Sequence, residues 1–392
     1  MSAARLAVAY VPLADAAPLI AAEEMGFARE EGLALDLVRA PSWSSLRDML
    51  AFGSVEAAHL LSPVPVAMAL GLGGVASPIS ALMVLSLNGT LIGISGDLAD
   101  RMRDAGHAFG FDDAADAGRA LVAAADDRLR IGVPFPFSMH AELLWYWLSA
   151  SGLPAPQGVE IRTVPPPLMA EAIAAGEIDA FCVGEPWGSS AVENGVATLL
   201  LPGRAIWSAA PEKVLAVRTD WAGAQPDMTR RLMRAVWKAC RWLDAGGVET
   251  TAAEMLGRER YLGLPAELLD RAFAGRFVIS PQGEQRHCPG FVAFEKGAAT
   301  YPWRSQAAWI ARQMAGRLGL DVGASTKAAR AVFRTDLYRA HLLEAGAILP
   351  GASDKVEGAT EADTAVPSET GRLILSENRF FDGGIFDLGV SE

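Results

Sequence analysis

Three side chains stand out for the chemistry they could do together. Trp43 lies in a Ser-rich loop ahead of a helix, His140 follows Pro134-Phe-Pro-Phe-Ser-Met at the start of another, and Lys213 opens a strand predicted over 213–217. Trp and Lys side chains only donate hydrogen bonds, and His can donate from a ring nitrogen. Free N–H groups at helix N-termini add to that supply. The set suits a small anion held by hydrogen bonds and one positive charge. Each residue also has a plain structural role open to it: Trp43 as core filler, His140 as a helix cap or core histidine, Lys213 as a solvated lysine.

Covalent, phosphate and metal templates are missing. The sequence has no Gly-x-Gly-x-x-Gly, phosphate loop, Gly-x-Ser-x-Gly, Cys-x-x-Cys or His-Glu-x-x-His. Cys182 falls in the apolar run 178–183 and reads as a small core residue, while Arg286-His-Cys288 reads as a surface loop. The three cysteines are widely spaced and odd in number, which suits reduced thiols. No catalytic residue, metal or cofactor is expected.

The elements that must position these residues alternate. Strands are predicted over 6–11, 33–38, 56–61 and 81–87. Between them, Asp15 is placed to cap a helix with Pro18 in its first turn, and further helices over 45–52 and 64–70 follow. Alternation of this kind indicates an α/β protein with a largely parallel sheet. An internal near-repeat points to two lobes: Leu46 to Ala58, with Gly53 at its centre, matches Met169 to Phe181, with Gly176 at its centre. The loops Pro41-Ser-Trp-Ser44, Ser62-Pro-Val-Pro65, Val164-Pro-Pro-Pro167 and Gly184-Glu-Pro-Trp187 then sit at helix starts and strand ends, where open α/β sheets bind ligands.

Beyond residue 204 the periodicity becomes helical, over 227–243, 265–273, 305–318 and 326–345. The Ser/Thr/Glu/Ala/Gly-rich stretch 351–371 reads as a mobile linker, and the aromatic segment 379–386 as a tail that docks on something. At 392 residues and 51% apolar, the chain is neither disordered nor a small stapled domain, and its length suggests two structural units. A net charge of −12 disfavours direct contact with nucleic acid, and no apolar run reaches the roughly 18 residues of a membrane span. Met-Ser-Ala-Ala-Arg runs straight into the first strand without a recognisable secretory leader, so a cytoplasmic location is expected.

These residues also carry a resemblance. Asp15-Ala-Ala-Pro-Leu-Ile, Ser42-Trp-Ser-Ser-Leu-Arg-Asp48, Asn88-Gly89, Val164-Pro-Pro-Pro, Phe181-Cys-Val-Gly-Glu-Pro-Trp187, Pro211-Glu-Lys213 and Tyr301-Pro-Trp-Arg-Ser305 resemble the nitrate- and bicarbonate-binding subunits of bacterial ABC importers, the NrtA/CmpA-like family, over residues 5–345. The resemblance implies a two-lobed class II periplasmic-binding-protein-like fold that closes on its ligand between the lobes. Lobe 1 would comprise 1–88 and 204–350, lobe 2 would comprise 89–203, and 351–392 would be the linker and tail.

Carried over by position, the family's anion ligands fall on Trp43, Thr90, His140, Pro166 and Lys213. Thr90 stands where nitrate binders have Gln, and Phe137-Ser-Met139 replaces a Gly-Gly-Thr loop. Ser44 and Glu185 are candidates for supporting roles, with Glu185 placed either to cap the helix after Gly184 or to orient Lys213. Bicarbonate binders carry an acidic, calcium-recruiting residue at the lysine position, so Lys213 favours a metal-free monovalent anion, nitrate or nitrite. Without a leader, the chain is similar to the cytoplasmic NasS-type nitrate/nitrite sensor. That family sequesters a NasT-type antiterminator bearing an RNA-binding domain and releases it on anion binding. Two alternatives stay open: a nitrate-binding importer subunit, or a desulfinase-like or pyrimidine-precursor enzyme on the same fold.

Overall fold

The computed structural model describes residues 3–125, 128–369 and 371–389. Its strands, in chain order, are β1 Ala4–Tyr10, β2 Leu33–Arg39, β3 Ala57–Leu61, β4 Ile79–Asn88, β5 Thr90–Ser95, β6 Leu129–Val133, β7 Val159–Thr163, β8 Ala180–Gly184, β9 Ala197–Pro202, β10 Pro211–Arg218, β11 Arg276–Val278, β12 Gln285–His287, β13 Val292–Ala293, β14 Thr364–Ser368 and β15 Gly371–Leu375. Two sheets of one plan carry the fold. The first has the order β2-β1-β3-β10-β4, with β13 at its edge, and the second has the order β7-β6-β8-β5-β9.

In each sheet the first three strands are parallel and the fourth runs antiparallel to both neighbours. The fourth strand arrives from the other lobe: β5 follows β4 across Asn88-Gly89, and β10 follows β9 across residues 203–210. The expectation of a largely parallel sheet is therefore corrected to two mixed sheets, because each crossing chain enters in the opposite sense. The two halves of the near-repeat occupy equivalent places. Gly53 and Gly176 each turn the chain with positive φ, 76° and 67°, into β3 and β8, the third strands.

Burial follows from this plan. All ten residues of β4 and all five of β8 are buried, as strands covered on both faces require, although β4 carries the polar residues Ser80, Ser86 and Asn88 among its apolar ones. The two crossings are tied together, since Asn88 Nδ2 donates to Ser208 O at 2.7 Å and Asn88 N to Ala210 O at 2.9 Å.

Several expectations need revision. Asp15 caps no helix: it sits in a short turn, Ala14–Ala16, and the helix Ala17–Glu24 begins without a side-chain cap. The predicted helix over 326–345 divides into Val322–Val332 and Thr335–Leu342, because Arg334 N donates to Ala81 O and draws the chain onto β4. Residues 204–350 do not all lie with the first sheet. The hairpin β11–β12 packs on the second, where Leu199 N donates to Ile279 O at 2.7 Å and Arg286 Nε to Phe109 O at 2.7 Å. That hairpin also replaces the surface loop expected at Arg286-His-Cys288, for β12 pairs His287 with Arg276.

The stretch 351–371, read as a mobile linker, contains a strand, β14, paired with β15, and is pinned by Arg304 N to Ser353 O and Lys355 N to Ser305 Oγ. Composition reports few apolar anchors there but not these backbone partners. Residues 370 and 390–392 lie outside the described residues. The aromatic tail docks on its own chain: Phe380 packs on Trp207 and Trp309, with ring centroids 4.8 and 5.6 Å away. Among the described residues no helix is long and apolar enough to cross a membrane.

Candidate functional site

The site is built at the start of β10. Consecutive residues of a regular strand point to opposite faces, yet Glu212 Oε1 lies 2.8 Å from Lys213 Nζ. Irregular pairing with β4 on either side of Lys213 bends the strand there, as a bulge does, and lets both side chains enter one cluster. The turn after β1 brings Asp15, whose Oδ2 lies 2.7 Å from Lys213 Nζ. From β3, His59 Nε2 lies 3.0 Å from Asp15 Oδ1. All four side chains are buried.

Trp43 closes one side of this group. It is the first residue of the helix Trp43–Ala51, whose N-cap Ser42 accepts from Ser45 N. Its ring centroid lies 5.4 Å from Lys213 Nζ and 5.7 Å from the His59 ring, a distance at which the aromatic face attracts the ammonium. From the second lobe, Ser138 caps the helix Met139–Ala150 and sets His140 in its first turn. His140 Nδ1 sits 3.2 Å from Glu212 Oε1, too poorly aligned for a hydrogen bond. Glu212 thus bridges the histidine of one lobe and the lysine of the other.

Thr90 opens β5, opposite Gly184 of β8, with the Cys182 thiol beside its hydroxyl. Gly203 backs it so closely that a Cβ there would fall 2.2 Å from Thr90 Oγ1. Pro166 is buried in the turn Pro166–Leu168, and among the described residues no hydrogen bond or ring contact ties it to the cluster. Ser44 does not belong. Helical rotation carries it outward from Trp43, and it is exposed, its hydroxyl 3.0 Å from Ser42 Oγ. Glu185 does cap: its Oε1 accepts from Ser189 N at 3.0 Å in the helix Trp187–Glu193, and it makes no ion pair with Lys213.

Electrostatics separate the carboxyls. Burial would raise Asp15, but Lys213 and His59 more than offset it and hold the group well below the usual carboxylate range. Burial pushes Glu212 up to about 7 despite the Lys213 charge beside it. Glu185 is likewise pushed up to about 7 by burial, against the hydrogen bond from Ser189. For Lys213 burial acts downward, yet Asp15 and Glu212 together raise it and keep it cationic. Burial, then the Lys213 charge, pushes His140 well below the ordinary 6.5, so it is neutral. Burial raises the Cys182 thiol strongly, which leaves it inert as a nucleophile.

Buried polar atoms without a protein partner collect here: Trp43 Nε1, His140 Nε2, Glu212 Oε2 and Ser86 Oγ, the last from the β4 residue paired with Lys213. Buried polar groups are normally satisfied, so a concentration of them beside a buried cation marks a place that takes a polar ligand. Among the described residues no three His, Cys, Asp or Glu side chains are grouped to hold a metal ion. Sequence reasoning singled out Trp43, His140 and Lys213, and it missed the roles of Asp15, His59 and Glu212. A polar residue interrupting an otherwise apolar strand, as His59 does in Ala57–Leu61, was the signal available.

Comparisons with known proteins come down on this geometry. Residues 2–257 match the NMT1-like family. The nitrate import ATP-binding protein NrtC of Synechocystis sp. is 31% identical over 312 residues, spanning 79% of this chain and 45% of that protein. The bicarbonate transport ATP-binding protein CmpC of Synechococcus elongatus is 34% identical over 266 residues, 67% of this chain and 39% of that one. The chain therefore spans less than half the length of these two curated relatives. The crystal structure of the periplasmic nitrate-binding protein NrtA from Synechocystis PCC 6803 superposes with a TM-score of 0.83 at 25% identity, covering 98% of this chain and 96% of that one. The fold expected from sequence, a two-lobed α/β periplasmic-binding-protein fold, is what this likeness shows.

Proposed function

The chain belongs to the NMT1-like family, and on that premise we propose that it binds nitrate or nitrite between its lobes. The observation that carries the reading is Lys213, a buried cation beside the unpartnered donors Trp43 Nε1 and His140 Nε2. A small planar anion needs compensating charge and donors at its oxygens, and these supply both. Thr90 and Pro166 complete the proposed contacts, Thr90 with a shorter reach than a Gln. The similarity to NrtC and to the nitrate-binding NrtA structure supports nitrate, and a lysine in place of an acidic metal ligand favours it over bicarbonate. An enzyme on this fold would need a nucleophile, and the buried Cys182 is unsuited to that work.

The binding is read out as a sensor. In this proposal the anion stabilises the closed lobes, a NasT-type antiterminator with an RNA-binding domain prefers the open form, and the two compete through one hinge. The protein's net charge of −12 keeps it off RNA itself, so control passes through the partner, in the cytoplasm. The second reading is an importer subunit, favoured by likeness to NrtA over 98% of the chain.

Calorimetry with nitrate, nitrite and bicarbonate tests the ligand, and silence toward the first two overturns it. Cell fractionation and co-purification with the antiterminator test the readout. A sensor stays in the cytoplasm and loses its partner when nitrate is added, whereas an importer subunit is exported.

A further inference from the structure

We propose that Glu212 holds the bound anion as a neutral carboxylic acid, so that one proton enters the site with each anion. The inference rests on the anion-binding reading and deepens it. Its basis is the sign of the charges around the site. Asp15 and Glu212 both reach Lys213, at 2.7 and 2.8 Å, so with both ionised the trio already carries one net negative charge. A monovalent anion would double that charge in a place closed to water, since Asp15, Glu212 and Lys213 are all buried.

A proton cancels the charge that the anion adds and returns the site to one net negative charge, and Glu212 is the group placed to take it. Its Oε1 is held by Lys213 Nζ while its buried Oε2 has no protein partner, leaving one oxygen free to carry a hydrogen and donate it. A carboxyl kept neutral in an apolar setting to serve as a donor is a known device for stabilising anions. Burial, which pushes Glu212 up to about 7, agrees with this role.

The neighbouring groups are worse proton acceptors. From the first lobe, Asp15 is held ionised by Lys213 and His59, and His59 faces that carboxylate. From the helix Met139–Ala150, His140 feels the repulsion of Lys213, and Glu142 is engaged by Arg317. From β8 and the loop after it, the Cys182 thiol is already protonated, and Glu185 is turned to Ser189 N.

Calorimetric titration of the full chain with nitrate at pH 8, in two buffers of different protonation enthalpy, counts the protons. About one proton taken up per anion is expected, with Kd rising about tenfold per pH unit above 7. In Glu212→Gln the count falls to near zero whatever affinity remains; where that variant does not fold, the unmodified protein's count decides alone. Nitrate binding with no proton uptake and a flat pH profile overturns the proposal while leaving the anion reading intact. Full uptake persisting in Glu212→Gln overturns the assignment to Glu212. No binding of nitrate or nitrite at any pH overturns the anion reading itself.

Discussion

Lys213 Nζ and Asp15 Oδ2 meet at 2.7 Å with both side chains shut away from solvent. Breaking a buried pair from one side leaves the other charge uncompensated. Lys213→Ala is therefore expected to abolish nitrate binding and to cost about 3–5 kcal/mol of stability. The double variant Asp15→Asn/Lys213→Ala recovers part of the stability but none of the binding. Chemical denaturation of the four proteins closes the cycle, and strictly additive losses would show the pair uncoupled. Unchanged nitrate affinity in Lys213→Ala would remove Lys213 from the ligand set.

Glu185 gives the pH dependence a sign. Its carboxyl, ordinarily near 4.5, is pushed up to about 7 by burial, so between those values the native state holds a proton that the unfolded chain has shed. Its contribution to stability is complete below pH 4.5 and is lost as pH rises through 7. His59 and His140 act oppositely: burial lowers both from 6.5, and the stability they contribute is lost as pH falls. The two effects oppose each other in the unmodified protein, and Glu212, also raised by burial, acts in the same sense as Glu185. Glu185→Gln removes one of them, so its stability relative to the parent should improve from pH 5 to pH 8 by up to about 3 kcal/mol. Denaturant titrations at both pH values check this, and a difference that shrinks with pH contradicts it.

How much of this was legible beforehand depends on what each residue needs in order to act. Trp43, His140 and Lys213 sit at element boundaries, where donors face a cleft, and their types alone suggested an anion. His59 lies inside a buried strand, where a hydropathy reading averages a single polar residue into its apolar neighbours. Glu212 enters the cluster only because β10 is irregular beside it, and that irregularity depends on pairing with β4, more than 120 residues earlier in the chain. Asp15 resembled a helix cap because both roles use a carboxylate in a turn before a helix; the partner that decides between them, Lys213, is remote in sequence. The near-repeat was legible because helix, Gly and strand are all local, and it pointed to two lobes but not to the antiparallel fourth strand of each sheet, which comes from the other lobe.

Phe380 tests whether the tail is part of the folded unit. It is buried against Trp207, in the crossing between lobes, against Trp309, and against Tyr146 on the helix that carries His140. Phe380→Ala leaves a cavity among these rings and is expected to cost about 3–5 kcal/mol. Amide exchange across 203–211 should accelerate as well, because Phe381 N donates to Ile206 O and Ser208 N to Arg379 O. A cost under about 0.5 kcal/mol, typical of a surface change, would mean that the tail docks without contributing to stability.

Gly203 gives a prediction that isolates Thr90. A Cβ at Gly203 would stand 2.2 Å from Thr90 Oγ1 and 3.3 Å from Leu143 Cδ1, so Gly203→Ala must displace the hydroxyl. Overpacking of this kind costs about 1–3 kcal/mol, and the displaced hydroxyl can no longer serve the anion, so nitrate affinity should fall together with stability. Thr90→Ala removes the obstructing oxygen and has its own loss of affinity. In that background the added methyl at Gly203 finds room, and Gly203→Ala should cost less than it does alone in both stability and affinity. Melting curves and calorimetry on the two single variants and the double variant measure this directly. If the Gly203→Ala loss of affinity is as large without the Thr90 hydroxyl as with it, the effect runs through the backbone of the crossing from β9 to β10, and Thr90 is not the group through which Gly203 touches the ligand.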